Sequence, residues 1–179
     1  MSHRWYAFFL GFVALLLTST AWAAPYRPPP IAGHVTDSAQ KLTPAQIASL
    51  DEKLADYRKC SGNHVAVFLA ASLEGNTIED VAYETFNVWK IGEAKKDSGV
   101  LLVLAPNERK VRIETGKGVG GSLTDIQSKD ILREKVSPRM KADDFFGAAD
   151  QGTTAIGAAL GGCTMHTAVT TSPESPPPN

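Results

Sequence analysis

The spacing that most suggests chemistry in this chain is a glycine-rich loop over 116–121. Gly116, Gly118 and Gly121 fit the fingerprint of dinucleotide-binding proteins. However, the strand before them is the second arm of a predicted hairpin rather than the start of a β-α-β unit, and no suitable ribose-binding acid follows. The loop is not a P-loop either, because Gly-Lys-Ser/Thr is missing. The backbone N–H groups of the loop, including those of its four glycines Gly116, Gly118, Gly120 and Gly121, could cradle an anion at the start of the next helix. Alternatively, the glycines serve only a tight loop.

Cys60 and Cys163 are the two cysteines of the chain, and neither belongs to a Cys-x-x-Cys or zinc-type pattern. Each follows a predicted helix, so a disulfide between them would tie the first helix to the last. The alternative is a catalytic thiolate at Cys60, although the signature loop of a Cys-based phosphatase is missing. His34, His64 and His166 lie far apart, without zinc or triad spacing, and Gly-x-Ser-x-Gly is absent. The sequence therefore leaves any catalytic residue unknown.

The elements that must position these residues follow from hydrophobic periodicity and capping signals. Thr43 and Gln46 form a capping box at the start of a first helix, which Ser61-Gly62 ends. Apolar runs at 64–71 and 99–105 predict two strands that are buried on both faces, and the helix between them begins at Thr77. A turn at 106–108 and an alternating run at 110–115 predict an antiparallel partner strand.

Two more helices complete the predicted fold. One opens between Ser122 and Asp125 and ends before Pro138, and the last opens at Asp143-Asp144. This order predicts an α/β fold, a single small three-layer sandwich with a mixed β-sheet and helices on both faces. We expect the domain to span residues 33–163.

The two ends of the chain differ from the domain in composition. Residues 1–23 are typical of a cleavable signal peptide: a positive charge at Arg4, an apolar run at 8–17, and small residues at the cleavage point in Ala21-Trp22-Ala23. This segment predicts a periplasmic or extracellular protein. The Pro-rich lead-in, 24–32, is expected to be extended and mobile. The Ser/Thr/Pro-rich tail, 164–179, is expected to be disordered. We expect no membrane span after signal cleavage.

Charge excludes one class of partner. The formal net charge is −1, and the chain contains no basic block. Nucleic acid is attracted by clustered Lys and Arg side chains, so we expect no nucleic-acid partner.

Five short motifs, in order, resemble the TPM domain family, whose founding members include a thylakoid-lumen protein of photosystem II repair. The motifs are Val35-x-Asp37-x-Ala39-x-x-Leu42-Thr43, Phe86-x-x-Trp89-x-Ile91-Gly92, Asp97-x-Gly99-Val100-Leu101-Leu102, Arg109-Lys110-x-Arg112-Ile113-Glu114-x-Gly116-x-Gly118 and Leu123-x-Asp125. The resemblance covers about residues 33–160 and implies a small α/β sandwich that is exported or membrane-tethered. Acid phosphatase activity and divalent-cation binding have been attributed to some members, whereas others resemble assembly or accessory factors. Many bacterial relatives carry a transmembrane segment after the domain, and this sequence shows none.

The resemblance implies metal ligands at the acidic positions of these motifs, which are Asp37, Asp97, Glu114 and Asp125. Three carboxylates near one another could hold Ca²⁺ or Mg²⁺. We expect the three aspartates to converge at one edge of the sheet, with Glu114 or the glycine loop close by. Alternatively, each acid has only a local role in a turn, a helix cap or an ion pair, and lysines rather than a metal neutralise them.

Two functions stay open at this point. The first is an exported accessory or binding protein of the cell envelope, with a divalent-cation site and an unidentified envelope protein or small phosphorylated ligand as partner. The second is a metal-dependent phosphatase acting on phosphate monoesters, in which water is the nucleophile. We favour the first, because the residues spell out no base or nucleophile.

Overall fold

The computed structural model describes residues 25–92 and 96–166. The predicted signal peptide and the tail from residue 167 onward lie outside the described residues. Between these limits the chain forms one α/β domain around a four-stranded sheet in the order β1-β2-β3-β4.

The sheet is mixed, as predicted. Strands β1 (Val35–Asp37), β2 (His64–Leu69) and β3 (Gly99–Ala105) are parallel, with Val35 beside Val67 and His64 beside Gly99. Strand β4 (Lys110–Thr115) runs antiparallel to β3 and closes the hairpin. Every residue of β2 and β3 is buried, because helices cover both faces of these two strands.

The helices begin where the sequence places capping residues. Helix α1 (Pro44–Ser61) has the predicted capping box between Thr43 and Gln46, and α2 (Ile78–Trp89) begins after Thr77, whose side chain accepts from the Asp80 N–H. The later elements are α3 (Asp125–Ile131), a π-helical turn (Leu132–Val136), α4 (Ser137–Lys141) and α5 (Phe145–Leu160).

Three layers result. On one face of the sheet, α1, α5 and the α3–α4 segment pack against side chains such as Val67 and Leu102. On the other face, α2 covers Phe68 and Leu101. The predicted three-layer sandwich is therefore confirmed.

Two element predictions are wrong. The sequence predicts no strand at β1, since three residues are too few to show a period of two. The helix expected to end before Pro138 instead continues, through a π turn at Leu132–Val136, into α4, which contains Pro138. Pro138 has no N–H and its ring crowds the carbonyl four residues earlier, so the helix widens, and the Ser137 N–H donates to the Leu132 carbonyl five residues back.

The Pro-rich lead-in is packed rather than mobile, where the structure describes it. Tyr26 is 6% exposed and lies in the core beside α2. The Trp89 indole N–H donates to the Pro29 carbonyl at 2.8 Å. Met165, at the start of the predicted tail, is also buried and packs in the core beside α1 and α5. Core packing thus extends beyond the predicted domain limits at both ends.

A disulfide joins Cys60, in the last turn of α1, to Cys163, which follows α5, with 6.3 Å between the Cα atoms. It closes a loop with a sequence separation of 103 residues. In the chain-entropy view, such a loop contributes about 4–5 kcal/mol by restricting the unfolded chain. Within residues 25–92 and 96–166, no helix combines the length and apolar character needed to cross a membrane.

Candidate functional site

The acidic residues singled out by sequence lie at opposite ends of the sheet. Asp37 ends β1 and lies in register with Leu69, and Leu69 lies beside Leu104 near the end of β3. Asp97 precedes the first residue of β3, so roughly 20 Å of strand separates the two aspartates. The expectation that Asp37 and Asp97 converge is therefore wrong. Asp37 ends a parallel strand whereas Asp97 precedes one, so the two cannot bind a common ion.

At the amino end of the parallel strands, Asp97 is held by the glycine loop. Its Oδ2 accepts from the Lys117 N–H at 2.8 Å, and its carbonyl accepts from the Gly118 N–H at 3.1 Å. The Gly116 N–H donates to the Gly99 carbonyl, and that of Gly120 reaches the Lys117 carbonyl. The N–H groups of these three glycines are thus engaged internally. An anion cradle built from them is not available.

The glycines of this loop permit close packing instead. A Cβ atom at Gly116 would collide with Asp97, and one at Gly118 would collide with the Lys96 carbonyl. At Gly121, by contrast, no atom lies within 4 Å of the Cβ position. The alternative role for the loop, a tight turn against backbone, is the one the structure shows.

Glu114 and Asp125 have local surroundings of their own. Glu114 lies beside Leu101 on the hairpin, and its Oε2 accepts from Arg112 at 3.3 Å. Asp125 is the exposed first residue of α3, where a negative charge stabilises the helix N-terminus; Thr124 supplies the cap. Neither residue joins Asp37 at its end of the sheet.

The carboxyl end of the parallel strands carries a different pair of acids, Asp37 and Glu108, which we call the carboxyl-edge pair. Asp37 Oδ2 accepts from the N–H groups of Lys41 and Leu42 at 2.8 and 2.7 Å. Glu108, in the turn between β3 and β4, accepts from the Leu73 N–H through Oε1 at 3.0 Å. In both residues the second oxygen, Asp37 Oδ1 or Glu108 Oε2, is buried and has no hydrogen-bond partner in the described part of the chain.

Such oxygens are unusual, because a buried carboxylate oxygen without a donor or cation is unfavourable. Backbone N–H groups fix one oxygen of each acid and leave the other, which is buried, without a hydrogen bond. Sequence reasoning missed Glu108. The signal was its place in a tight turn directly after a buried parallel strand, where the carboxyl ends of α/β strands bind ligands.

The donor set limits what could bind there. Among the described residues, no group of three or more His, Cys, Asp or Glu side chains is arranged to hold a metal ion. A cation at this edge would take at most two carboxylates, with backbone carbonyls and water as further ligands. Ca²⁺ accepts such a mixed oxygen set more readily than Mg²⁺, which demands near-octahedral geometry.

His64 and His34 meet at the other end of β2, with ring centroids 5.1 Å apart. His64 Nδ1 accepts from the Gly92 N–H at 3.1 Å. Burial, with smaller effects from Arg58 and His34, lowers the pKa of His64 to about 4. The ring is therefore neutral at pH 7 and serves as a hydrogen-bond acceptor for the backbone.

Comparison with known proteins agrees with this architecture. A family model described as the TPM domain matches residues 35–159, more than half of the chain. No curated protein matches the chain. Among solved structures, the N-terminal domain of a protein from P. gingivalis is similar, with 29% identity and a TM-score of 0.66 over 71% of this chain and 81% of that one.

Two more distant structures share the fold. The N-terminal domain of the cg2496 protein from Corynebacterium glutamicum is 16% identical, with a TM-score of 0.58 over 83% of this chain and 94% of that one. The BA42 protein from Bizionia argentinensis is 22% identical, with a TM-score of 0.56 over 66% and 81%.

Proposed function

Because this chain belongs to the TPM domain family, we propose that it serves as a non-catalytic accessory and binding module of the cell envelope. Two features support a place outside the cytoplasm. The first 23 residues have the composition of a cleavable leader. The Cys60–Cys163 disulfide is of the kind that persists in an oxidising compartment.

The ligand we propose is a divalent cation, Ca²⁺ or Mg²⁺, held at the carboxyl end of the parallel strands by Asp37 or Glu108. The observation that carries this proposal is the pair of buried, unpartnered oxygens, Asp37 Oδ1 and Glu108 Oε2. A cation at either carboxylate would satisfy its unpartnered oxygen and offset its charge. The hydrogen bonds from Lys41, Leu42 and Leu73 already orient the carboxylates for it.

Affinity should be low. Calcium sites in extracellular modules with few charged ligands bind with dissociation constants of about 0.1–1 mM. Such a site suits a module whose surroundings hold millimolar calcium.

Thermal melting with and without 5 mM CaCl₂ tests the proposal. The midpoint of the unmodified protein should rise by a few degrees, because a ligand bound only to the native state adds about 1–2 kcal/mol at roughly tenfold excess over Kd. The variant that removes the binding carboxylate, Asp37→Asn or Glu108→Gln, should lose most of the rise. Asp97→Asn, at the other end of the sheet, is the matched control and should keep it. An equal rise in all four proteins would contradict the assignment.

The same samples examine the alternative function. Turnover of 4-nitrophenyl phosphate in the presence of metal, lost in Asp37→Asn but kept in Asp97→Asn, would make the protein a metal-dependent phosphatase. A non-catalytic module should show no turnover above that of buffer with metal.

A further inference from the structure

A recess lies between the start of β4 and the α3–α4 segment. It has a volume of about 480 Å³, within the range of small-molecule sites. Four of its lining side chains are cationic, namely Arg109, Lys129, Arg133 and Lys141, and none of the described residues that line it is acidic. We call this recess the basic pocket. Its concentration of positive charge contrasts with the chain's net charge of −1.

Two of these cations are held by acids and two are not. Arg109 pairs with Asp143 at 2.8 Å and also donates to the Met140 carbonyl. Arg133 pairs with Asp130 at 2.7 Å and with Glu134 at 3.0 Å. In the described part of the chain, Lys129 and Lys141 form no ion pair, so their charges are available to a ligand.

The floor of the basic pocket is apolar. Val111 of β4, Leu132 of the π turn, and Pro138 and Met140 of α4 contribute to its lining. The π turn helps to form this wall, because the widened backbone before Pro138 carries Leu132 and Arg133 on the pocket side. Such π turns are frequent where helices carry functional sites.

From this combination we propose that the basic pocket binds a small organic phosphate whose apolar group lies on Val111, Leu132 and Met140. Its phosphate would accept hydrogen bonds from Lys129 and Lys141, the two cations of the lining that form no ion pair in the described part of the chain. Charge-assisted hydrogen bonds to phosphate are the strong class, and an apolar floor favours an ester over the free ion. This proposal does not depend on the cation site.

Phenylphosphonate is the probe, since it joins a phosphate-like dianion to an aromatic ring and cannot be hydrolysed as an ester. Amide chemical shifts in two-dimensional NMR at low salt should move at the basic pocket. The order of affinity should be phenylphosphonate, then inorganic phosphate, then benzyl alcohol. The double variant Lys129→Gln/Lys141→Gln should bind phenylphosphonate about tenfold or more weakly. Both lysines are exposed, so the fold should be unaffected.

The matched control is Lys117→Gln/Lys135→Gln, which removes the same charge from exposed lysines that do not line the pocket. It should bind phenylphosphonate as the unmodified protein does. Equal weakening in both double variants, or benzyl alcohol binding as well as phenylphosphonate, would overturn the proposal. Vesicles containing phosphatidylglycerol form the last arm. Co-sedimentation that only the Lys129/Lys141 variant loses would assign the pocket to a lipid headgroup and reject a soluble ligand.

Discussion

Asp37 and Asp97 show how neighbours decide the chemistry of one residue type. Both flank buried parallel strands and both accept backbone N–H groups. Asp97 has the glycine loop packed against its carboxylate and carbonyl, whereas Asp37 keeps one buried oxygen without a partner. Only the second arrangement leaves a buried oxygen without a hydrogen bond, and this difference is invisible in the sequence.

The glycine loop gives a prediction at single residues. Gly118→Ala should destabilise the protein by about 1–3 kcal/mol, because the new methyl group meets the Lys96 carbonyl, which cannot move away as a flexible side chain would. Gly121→Ala, with open space at its Cβ position, should change stability by no more than about 0.5 kcal/mol. Urea unfolding measures both. Equal effects would mean that close backbone packing is not what position 118 requires.

His64 predicts how stability depends on pH. Its pKa is about 4 in the folded protein and about 6.5 when unfolded, so between these values the unfolded chain binds a proton that the folded one does not. The stability that depends on a neutral His64 is therefore fully present above the unfolded pKa and is lost as the pH falls. The loss is about 2 kcal/mol at pH 5 and roughly 3 kcal/mol at pH 4.

The matched variant is His64→Asn, whose side-chain oxygen can still accept from the Gly92 N–H but does not titrate. Urea unfolding at pH 7 and pH 5 should show a smaller loss in the variant than in the unmodified protein. The same loss in both would place the acid sensitivity in other groups.

Between elements, α1 and α5 are joined by a buried ion pair that sequence patterns did not indicate. Lys53 Nζ lies 2.7 Å from Asp150 Oδ1, and the two side chains are 5% and 4% exposed. Lys53 also donates to the hydroxyls of Thr153 and Thr154. Burial lowers the pKa of Lys53, and the hydrogen bond and charge of Asp150 oppose that shift.

Removing one member of this pair should be far worse than removing both. Lys53→Met should cost about 3–5 kcal/mol, since the buried Asp150 loses its countercharge, and Lys53→Met/Asp150→Leu should recover most of the loss. Chemical denaturation checks this. Lys59→Met is the control. Lys59 pairs with Asp56, but the two side chains are 76% and 65% exposed. Such exposed pairs contribute at most about 1 kcal/mol. A double variant as unstable as Lys53→Met would contradict the argument.

Elements whose signals are local could be predicted from sequence. The capping box of Thr43 and Gln46, the bounds of β3 and the hairpin to β4 all depend on neighbouring residues. Strand β1 and the π turn could not. The first is stabilised by pairing with β2 rather than by its own three residues, and the second is a compromise between a long helix and Pro138.

At the scale of the whole molecule, the site prediction failed for a topological reason. Without β1, the sequence places Asp37 in a turn, and nothing indicates that Asp37 ends a strand whereas Asp97 precedes one. Strand direction and order place Asp37 at the same end of the sheet as Glu108, a residue outside every recognised motif. The sequence indicated Asp37 as a candidate ligand, but it did not indicate that Glu108 lies at the same end of the sheet.

The distance between the two ends of the sheet makes the central claim directly testable. Mn²⁺ can substitute for Ca²⁺ or Mg²⁺ at oxygen ligands, and it broadens NMR signals of nearby amides only. Trace Mn²⁺ added to ¹⁵N-labelled protein should broaden the amides of Lys41 and Leu42, which hydrogen-bond to Asp37, or that of Leu73, which hydrogen-bonds to Glu108, and excess Ca²⁺ should restore them. Lys117 and Gly118, beside Asp97, should stay sharp. Broadening centred on Lys117 and Gly118, or no selective broadening at all, would contradict a cation site at Asp37 or Glu108.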